Sequence, residues 1–355
     1  MENASLFFET MKVWVLSDGK MGHLNQSLGV AESLVVDSAQ IKVVHLKKRR
    51  FGGLLSLLWP PLKVEKLPQA PWPDVVIATG SLTVPVAKWL KMQNPSTVTV
   101  QMMAPLNRFG VKVTPGGFLD HVLNSENLNF FDVIASPVHE GFEGSENRVV
   151  TLGAPNRIKN LALAEAQQKW QDTFKHLKKR KVAVLVGGNS KRFNFEGQEV
   201  AKFVADLEKL AQEKDVSLLI TTSRRTGPKA KALIEQKFKG GDHFVWDGKG
   251  DNPYIGLLAC ADAVVATPDS VSMVSEAAST GKPVYIWGVG EKMYLPKMGK
   301  FNHFYQALHV NGFVKPFAKV FDRDENWQQK AQPLDDTGKV AGFVRAQILK
   351  RLNNT

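Results

Sequence analysis

Short apolar runs alternate with helical patterns along most of the chain. In the first half, five runs rich in aliphatic and β-branched residues are separated by segments with an apolar residue at every third or fourth position. The pattern predicts strands over 12–16, 41–46, 74–79, 97–103 and 133–136, and helices over 26–36 and 81–92. Alternation of this kind is typical of a parallel, doubly wound sheet.

The same alternation restarts in the second half. Strands are predicted over 181–186, 216–221, 243–246, 263–267 and 284–288, and helices over 167–177, 197–213, 228–239, 254–260, 271–279 and 340–352. We therefore expect two α/β domains, at 11–160 and 181–315, joined by a linker helix at 161–180 and followed by a helical tail at 316–355. Such folds bind ligands at the carboxyl ends of their strands, so functional residues are expected in the loops there.

Charge is distributed unevenly between the two halves. The 355 residues carry a formal net charge of +12. Residues 1–150 hold 14 Lys or Arg against 13 Asp or Glu, whereas residues 151–355 hold 32 against 21. The excess predicts anion binding in the second half. No basic and aromatic motif for nucleic acid accompanies it, so no nucleic-acid partner is expected.

Composition limits the class of protein. With 43% hydrophobic and 23% charged residues, the chain has the make-up of a folded globular protein. Its one cysteine, Cys260, excludes a disulfide framework and a cysteine-based zinc site. Residues 1–10 lack the basic start of a secretory signal, and the most apolar stretch, 51–62, is too short to span a bilayer. We therefore expect a cytoplasmic protein.

The loop after the first strand contains one histidine among small and polar residues. Glycines let the backbone approach a ligand, and the start of the next helix offers unpaired N–H groups. At the edge of the sheet, His23 is placed to remove a proton near neutral pH. A tight turn carrying a surface histidine is the alternative. The loop residues predicted to contact a ligand are Gly19, Gly22, Asn25 and Gln26.

Two basic loops occupy equivalent places in the second half. The turn after strand 181–186 has two glycines followed by cations, which suits a phosphate cradle. The turn after strand 216–221 adds a hydroxyl and two guanidinium groups. Solvated basic loops are the alternative for both. The candidate residues are Gly187, Gly188, Asn189 and Lys191 in the first turn, and Ser223, Arg224 and Arg225 in the second.

The segment 252–284 carries the most specific pattern. Asp269 or Ser270 caps the helix predicted at 271–279, which turns the N–H groups near Ser272 and Met273 toward a ligand. Glu276 lies one turn after Ser272 on the same helix face, where a carboxylate is able to accept hydrogen bonds from a ribose diol. Asn252 is a further residue predicted to contact this ligand. The alternative is an ordinary cap followed by a solvated helix residue.

A separate basic cluster lies in the first half. Residues 47–50 are four successive cations, and an apolar stretch ending at Trp59 follows them. Cations beside an apolar, tryptophan-containing segment are attracted to an anionic membrane surface, which predicts peripheral membrane contact through residues 47–59. A buried connection with a solvated basic flank explains the same pattern equally well.

Several enzyme classes lack their motifs in this sequence. There is no G-x-G-x-x-G, no G-x-x-x-x-G-K-[ST] and no H-E-x-x-H. None of the four tyrosines has a lysine four residues later, so the Tyr/Lys pair of short-chain epimerases is missing. An NAD-dependent epimerase is disfavoured, and neither a cofactor nor a dedicated metal site is expected.

Taken together, these motifs resemble the mitochondrial fission Elm family, whose bacterial members are often labelled nucleoside-diphosphate-sugar epimerases. The family is similar to GT-B glycosyltransferases, so the resemblance implies two Rossmann-like, doubly wound α/β domains facing a cleft, with a C-terminal helix. One element departs from the family pattern, because 136–140 has Glu140 where a Pro-x-His-Asp element has its acid. The motifs that carry the resemblance lie at 14–19, 22–26, 153–157, 223–226, 252–254 and 269–277.

The resemblance implies a metal-independent glycosyltransferase whose second domain binds a nucleotide-diphosphate sugar and whose first binds a glycan or lipid-linked acceptor. Glu276 is then expected to hold the ribose and His23 to act as the base. Lys191, Arg224, Arg225 and the helix start at 270–273 are expected to stabilise the departing diphosphate. With a membrane-associated acceptor the protein would work at the inner face of the membrane. The alternative is a non-catalytic recruitment module on the same scaffold.

Overall fold

The chain divides into two units, and the second interrupts the first. The first unit comprises residues 1–157 and 335–355, and the second comprises residues 158–334. The structure, a computed structural model, describes residues 2–48, 64–103, 130–140, 146–328 and 331–353. Each unit is built on one six-stranded parallel sheet with helices beside it, which confirms the predicted doubly wound α/β class.

In the first unit the strand order is β2-β1-β3-β4-β5-β6. Val13 pairs with Ile41 on one side and with Val75 on the other, so β1 lies between β2 and β3. The elements are α1 (Glu2–Thr10), β1 (Val13–Ser17), α2 (Met21–Leu34), β2 (Ile41–His45), β3 (Val75–Thr79), α3 (Val84–Gln93), β4 (Val98–Met102), β5 (Val133–Pro137), β6 (Arg148–Thr151) and α10 (Asp336–Leu352).

Alternate residues of β1 face opposite sides of this sheet, as a pleated strand requires. Val13 and Val15 belong to the core cluster that includes side chains of α2 and α10. Trp14 and Leu16 belong to the cluster on the other face, together with side chains of α3. Both faces are therefore covered, which explains why the strands read as continuous apolar runs.

The second unit repeats the architecture with the strand order β12-β11-β10-β7-β8-β9. The central strand β7 is apolar except at its first residue, and its last five residues are buried. The elements are α4 (Asn160–Trp170), β7 (Lys181–Val186), α5 (Gln198–Glu213), β8 (Ser217–Thr222), α6 (Pro228–Phe238), β9 (Phe244–Val245), α7 (Tyr254–Cys260), β10 (Ala263–Ala266), α8 (Val271–Ala278), β11 (Val284–Ile286), α9 (Phe301–Val310) and β12 (Lys315–Pro316).

The chain leaves the first unit after Arg157 and returns to it at Asp335, and hydrogen bonds join the two passages. The buried carboxylate of Asp336 accepts the N–H groups of Leu152 and Gly153, at 3.1 and 2.6 Å. The Thr337 hydroxyl accepts the N–H of Asn156 at 2.8 Å and donates to its carbonyl at 2.9 Å. Residues 153–157, which carry part of the family resemblance, thus anchor α10 to the first unit. The predicted helical tail at 316–355 is divided between the units, because 316–334 belongs to the second.

Two helices begin five or more residues before their predicted starts. The helix predicted from residue 26 begins at Met21, because the Asp18 carboxylate accepts the Lys20 N–H at 3.2 Å and turns the chain early. The helix predicted at 167–177 is α4, Asn160–Trp170; none of its side chains is buried, so no apolar stripe marks it. The pattern also missed α1, β6, α9 and β12. Within the described ranges, no helix has the length and hydropathy needed to cross a membrane.

Candidate functional site

Two glycines follow β7 because backbone and side chains approach them closely. A Cβ on Gly187 would lie 2.0 Å from Oδ1 of Asp269, and a Cβ on Gly188 would lie 2.1 Å from the carbonyl oxygen of Arg225. Both distances are shorter than any Cβ contact that a folded chain tolerates. The turn is therefore restricted to glycine by its contacts with the loops after β8 and β10.

Asp269 organises these loops. Its Oδ1 accepts a hydrogen bond from the Thr267 hydroxyl at 2.6 Å. Its Oδ2 accepts the N–H of Gly188 at 3.1 Å and lies 2.7 Å from the Arg225 guanidinium. The carboxylate side chain has no solvent exposure. Asp269 thus orients donors from three loops.

The turn after β8 is tied to the same glycines. The Ser223 hydroxyl donates to the Gly187 carbonyl at 2.7 Å and accepts the Arg225 N–H at 3.0 Å. The buried Thr226 hydroxyl also donates to the Gly187 carbonyl. Ser223, predicted to contact a diphosphate, is occupied by these backbone groups and shapes the turn.

Arg224 and Arg225 have different surroundings although they are adjacent. Arg225 is paired with Asp269. Arg224 is exposed, and its side chain has no hydrogen bond or ion pair to any residue in the described part of the chain. Its uncompensated charge makes Arg224 the better anion ligand of the two.

The predicted cradle residues after Gly188 also have distinct roles. Asn189 accepts the Phe195 N–H at 2.7 Å and donates to Glu196, so its amide holds the loop closed. Lys191 is exposed and, among the described residues, has no salt bridge. Of the predicted cradle residues, one lysine and one arginine therefore present free charges at the carboxyl edge of the sheet.

Helix α8 begins beside this cradle. Ser270 is its N-cap, with Oγ accepting the Met273 N–H at 3.4 Å. The predicted helix start is confirmed, and Ser270 rather than Asp269 is the capping residue. The first turn, which contains Ser272, leaves N–H groups without helical partners next to Asp269 and the glycine turn. An anion there would meet the positive end of a helix dipole.

Glu276 lies on the second turn of α8, and Tyr254 fixes its position. The Tyr254 hydroxyl donates to Glu276 Oε2 at 2.6 Å. Burial, and secondarily the nearby carboxylate, raises the pKa of Tyr254 well above its ordinary value. Asn252 accepts the Tyr254 N–H at 3.0 Å and so starts α7, which is a structural role; its contact with a nucleotide sugar stays a prediction.

In the first unit, His23 and Asp18 form a dyad at the ends of β1 and β3. His23 Nδ1 lies 3.0 Å from Asp18 Oδ2, and the Asp18 side chain is 5% exposed against 21% for His23. A Cβ on Gly80, just after β3, would lie 2.7 Å from His23 Nδ1, so only glycine lets the ring rest there. Because the Asp18 carboxylate accepts a hydrogen bond from the Nδ1–H group, Nε2 is the ring nitrogen that remains to accept a proton.

The other acceptor-side residues lie on the same turn and helix. Gly19 has a φ of 82° and lets the chain turn directly after Asp18. Gly22 and Asn25 are partly exposed on α2, whereas Gln26 is only 7% exposed and offers little surface to a ligand.

The sequence also singled out two further segments of the first half of the chain. In the element that departs from the family pattern, His139 is buried at 7% exposure in a short 3₁₀ turn after β5. Of the proposed membrane segment 47–59, Lys47 and Lys48 are exposed, and residues 49–59 lie outside the described residues.

The sequence alone did not reveal the residues that position other side chains of the site. Asp18 and Tyr254 were parts of recognised motifs, but neither was assigned a role. Their signal was positional, since Asp18 directly follows a strand and Tyr254 directly follows an Asn-Pro turn. The structure brings the loops after β7, β8 and β10 together in the second unit and places the histidine dyad in the first.

Comparison with known sequences places the chain among relatives along most of its length. The family model described as mitochondrial fission ELM1 matches residues 21–115 and 125–348. Mitochondrial fission protein ELM1 of Arabidopsis thaliana is 31% identical over 347 residues, covering 94% of this chain and 79% of that protein. A protein of Rickettsia prowazekii (strain Madrid E) is 28% identical over 364 residues, covering 94% of this chain and 98% of that protein.

Solved structures with a similar fold include UDP-GlcNAc 2-epimerases. The Neisseria meningitidis enzyme, bound to UDP-GlcNAc, aligns with a TM-score of 0.52 at 13% identity, covering 97% of this chain and 100% of that chain. The Methanocaldococcus jannaschii enzyme aligns with a TM-score of 0.55 at 12% identity, with the same coverage of 97% and 100%. At such identities the likeness shows the fold, and it confirms the GT-B class of two Rossmann-like units.

The family match extends through both units, and the plant relative exceeds 30% identity across nearly the whole chain. The chain belongs to the mitochondrial fission ELM1 family.

Proposed function

We propose that the protein binds a nucleotide-diphosphate sugar on its second unit and transfers the sugar to a glycan or lipid-linked acceptor held by the first. The observation that carries this proposal is the arrangement around Asp269. Three loops are locked together there, and the free cations Arg224 and Lys191 lie on two of them. The fold neighbours that bind UDP-GlcNAc support the same ligand class.

On the donor side, the diphosphate and the ribose of the nucleotide each have a matching group. The diphosphate is bound by Arg224, Lys191 and the N–H groups at the start of α8. Arg225 contributes mainly by holding Asp269. Glu276, held by Tyr254 at 2.6 Å, accepts hydrogen bonds from the ribose hydroxyls. The cationic groups supply the stabilisation of the leaving diphosphate that a metal ion supplies in other transferases.

On the acceptor side, His23 is the base. Its Nε2 takes the proton of the acceptor hydroxyl while Asp18 stabilises the resulting imidazolium. The acceptor oxygen forms its bond to the anomeric carbon of the sugar, and the bond from that carbon to the diphosphate oxygen breaks. The diphosphate keeps the electron pair and leaves as the nucleoside diphosphate. An acceptor anchored in a membrane would place the protein at the membrane surface.

Calorimetry with UDP, GDP, ADP and their common sugar conjugates tests donor binding. We expect at least one member to bind, Glu276→Ala to weaken binding, and His23→Ala to leave it unchanged. Incubation of the bound sugar nucleotide with a membrane fraction, followed by measurement of nucleoside diphosphate release and sugar incorporation, tests transfer. Failure of every member of the panel to bind contradicts the proposal.

A non-catalytic binding module is the second candidate, because the 31% identical relative is named for mitochondrial fission rather than for a reaction. It predicts nucleotide binding or partner binding that survives His23→Ala, without turnover of any bound sugar nucleotide. The same incubations, analysed for epimerised sugar as well as for transfer, separate the two candidates and detect an epimerase.

A further inference from the structure

Trp246 stands apart from the other tryptophans in the part of the chain that the structure describes. Six of the seven described tryptophans pack against an aromatic ring or under a cation, namely Trp14, Trp72, Trp89, Trp170, Trp287 and Trp327. Trp246 is half-buried, and no ring or cation from the described residues is stacked on it. An indole placed at the surface without such a partner has a face available for a planar ligand.

The ring is nevertheless held in one orientation. Its backbone N–H continues the β8–β9 ladder by donating to the Ile220 carbonyl at 3.0 Å. Its Nε1 donates to the Lys249 carbonyl at 3.1 Å, and the Lys249 N–H donates to Asp247 at 2.9 Å. Gly248 and Gly250, with φ of 84° and 69°, allow this tight turn. A platform fixed by such bonds loses little entropy when a ligand binds to it.

The position of Trp246 relates it to Glu276. Trp246 directly follows β9 at the carboxyl edge of the second sheet. The loop that it begins runs to Asn252 and ends at Tyr254, whose hydroxyl holds Glu276. In a nucleotide, the ribose ring carries both the base and the diol, and the diphosphate is attached to the ribose through its C5′ oxygen. The loop that begins at Trp246 thus leads to the residue that holds Glu276, which makes this loop the candidate place for the base of a nucleotide whose diol Glu276 holds.

We propose that the indole of Trp246 is the stacking platform for the nucleobase of the bound nucleotide. This inference rests on the proposed donor function, and it assigns the third part of the ligand after the ribose and the diphosphate. Stacking on an indole is available to every base, so the ligand class is a nucleoside diphosphate. Selection among bases has to come from other contacts.

The test compares UDP with inorganic pyrophosphate, which shares the diphosphate and lacks the nucleoside. Calorimetry measures both ligands on the wild-type protein, Trp246→Ala and Trp246→Phe. We expect Trp246→Ala to weaken UDP binding about tenfold and to leave pyrophosphate binding unchanged, because stacking contributes only to the base. Trp246→Phe keeps an aromatic face and is expected to retain most of the UDP affinity. Thermal unfolding of the variants checks that the fold persists.

Fluorescence of the unmodified protein gives a second readout. UDP is expected to quench an indole component that Trp246→Phe lacks, and pyrophosphate is expected to leave it unquenched. UDP binding that is unaffected by Trp246→Ala overturns this inference while leaving the donor proposal standing. An equal loss of UDP and pyrophosphate also overturns it, because that loss indicates a distorted loop. No binding of any nucleotide by the wild type overturns both proposals.

Discussion

The carboxylate of Asp269 is completely shielded from solvent, and the guanidinium group 2.7 Å from it belongs to a half-exposed Arg225. A buried carboxylate requires partners, and this one also takes hydrogen bonds from Thr267 and from Gly188. The pair therefore joins the loop after β8 to the loops after β7 and β10. Arg225 acts on the cradle through Asp269, whereas the side chain of its neighbour Arg224 has no ion pair with any described residue.

Replacing the two arginines separates these roles. Arg225→Ala removes one partner of a buried carboxylate and is expected to destabilise the protein by about 1–2 kcal/mol, a reduced figure because the arginine is half exposed. Arg224→Ala should leave stability within about 0.5 kcal/mol and weaken nucleoside diphosphate binding about tenfold. Urea unfolding and calorimetry provide the two measurements. Equal losses of stability in both variants would contradict the assignment of a structural role to Arg225 and a ligand-binding role to Arg224.

The glycine turn after β7 is expected to tolerate no side chain. Gly188→Ala puts a methyl group 2.1 Å from a backbone oxygen, which forces the turn apart and is expected to cost about 1–3 kcal/mol together with donor binding. Gly290→Ala is the matched control, because a Cβ there meets nothing within 4 Å. The comparison uses unfolding midpoints of the two variants. A Gly188→Ala protein as stable as the control would show that the turn adjusts freely.

The dyad in the first unit predicts a specific kinetic defect. Asp18→Asn leaves the ring of His23 in place but removes the negative charge that stabilises its protonated form. We expect kcat for transfer to fall roughly a hundredfold or more, with little change in KM for the donor. Lys20→Ala is the control, since Lys20 contacts the same carboxylate at 3.3 Å from an exposed position. Similar kinetics for Asp18→Asn and Lys20→Ala would argue against the dyad.

Three of the four tyrosines are expected to resist ionisation in the folded protein. Burial raises the pKa of Tyr254, Tyr285 and Tyr305, and carboxylates add to the effect at each. These phenols therefore stay protonated through pH 10 in the folded state, whereas the unfolded chain loses their protons. Since the folded state then binds more protons, stability is expected to fall as pH rises above about 10.

Absorbance at 295 nm measures this directly. We expect the tyrosinate signal of Tyr254, Tyr285 and Tyr305 to appear together with loss of circular dichroism, and not before it. A native protein showing the signal of all four phenolates at pH 10.5 would refute the prediction.

The sequence predicted the helices and strands wherever burial produced a regular pattern of apolar residues. Strand β7 has a run of apolar residues because both faces of its sheet are covered, and helix α5 shows buried residues at spacings of three and four. Helix α4 buries none of its residues, so its sequence carried no matching signal.

The candidate site was readable only in part. Motifs located the loops, but they did not distinguish a residue that meets a ligand from one that holds a loop. Arg225 and Asp269 are far apart in sequence, and their pairing depends on the loops after β8 and β10 meeting across the end of β7, the strand that separates them. Likewise, nothing local to Tyr254 indicates that its hydroxyl reaches Glu276. Such relationships follow from strand order, which alternating apolar runs do not specify.

The return of the chain to the first unit has a consequence for its synthesis. Val340, Ala341, Val344 and Ile348 of α10 complete a core whose other buried members lie in the first half of the sequence. A ribosome therefore finishes every residue of the second unit before it supplies these four. The first unit is therefore the first to be synthesised and the last to have a complete core, in contrast to the usual order in which domains fold from the N-terminus. Until then the nascent first unit carries an uncovered apolar face, which makes it the stage at which chaperones are most needed.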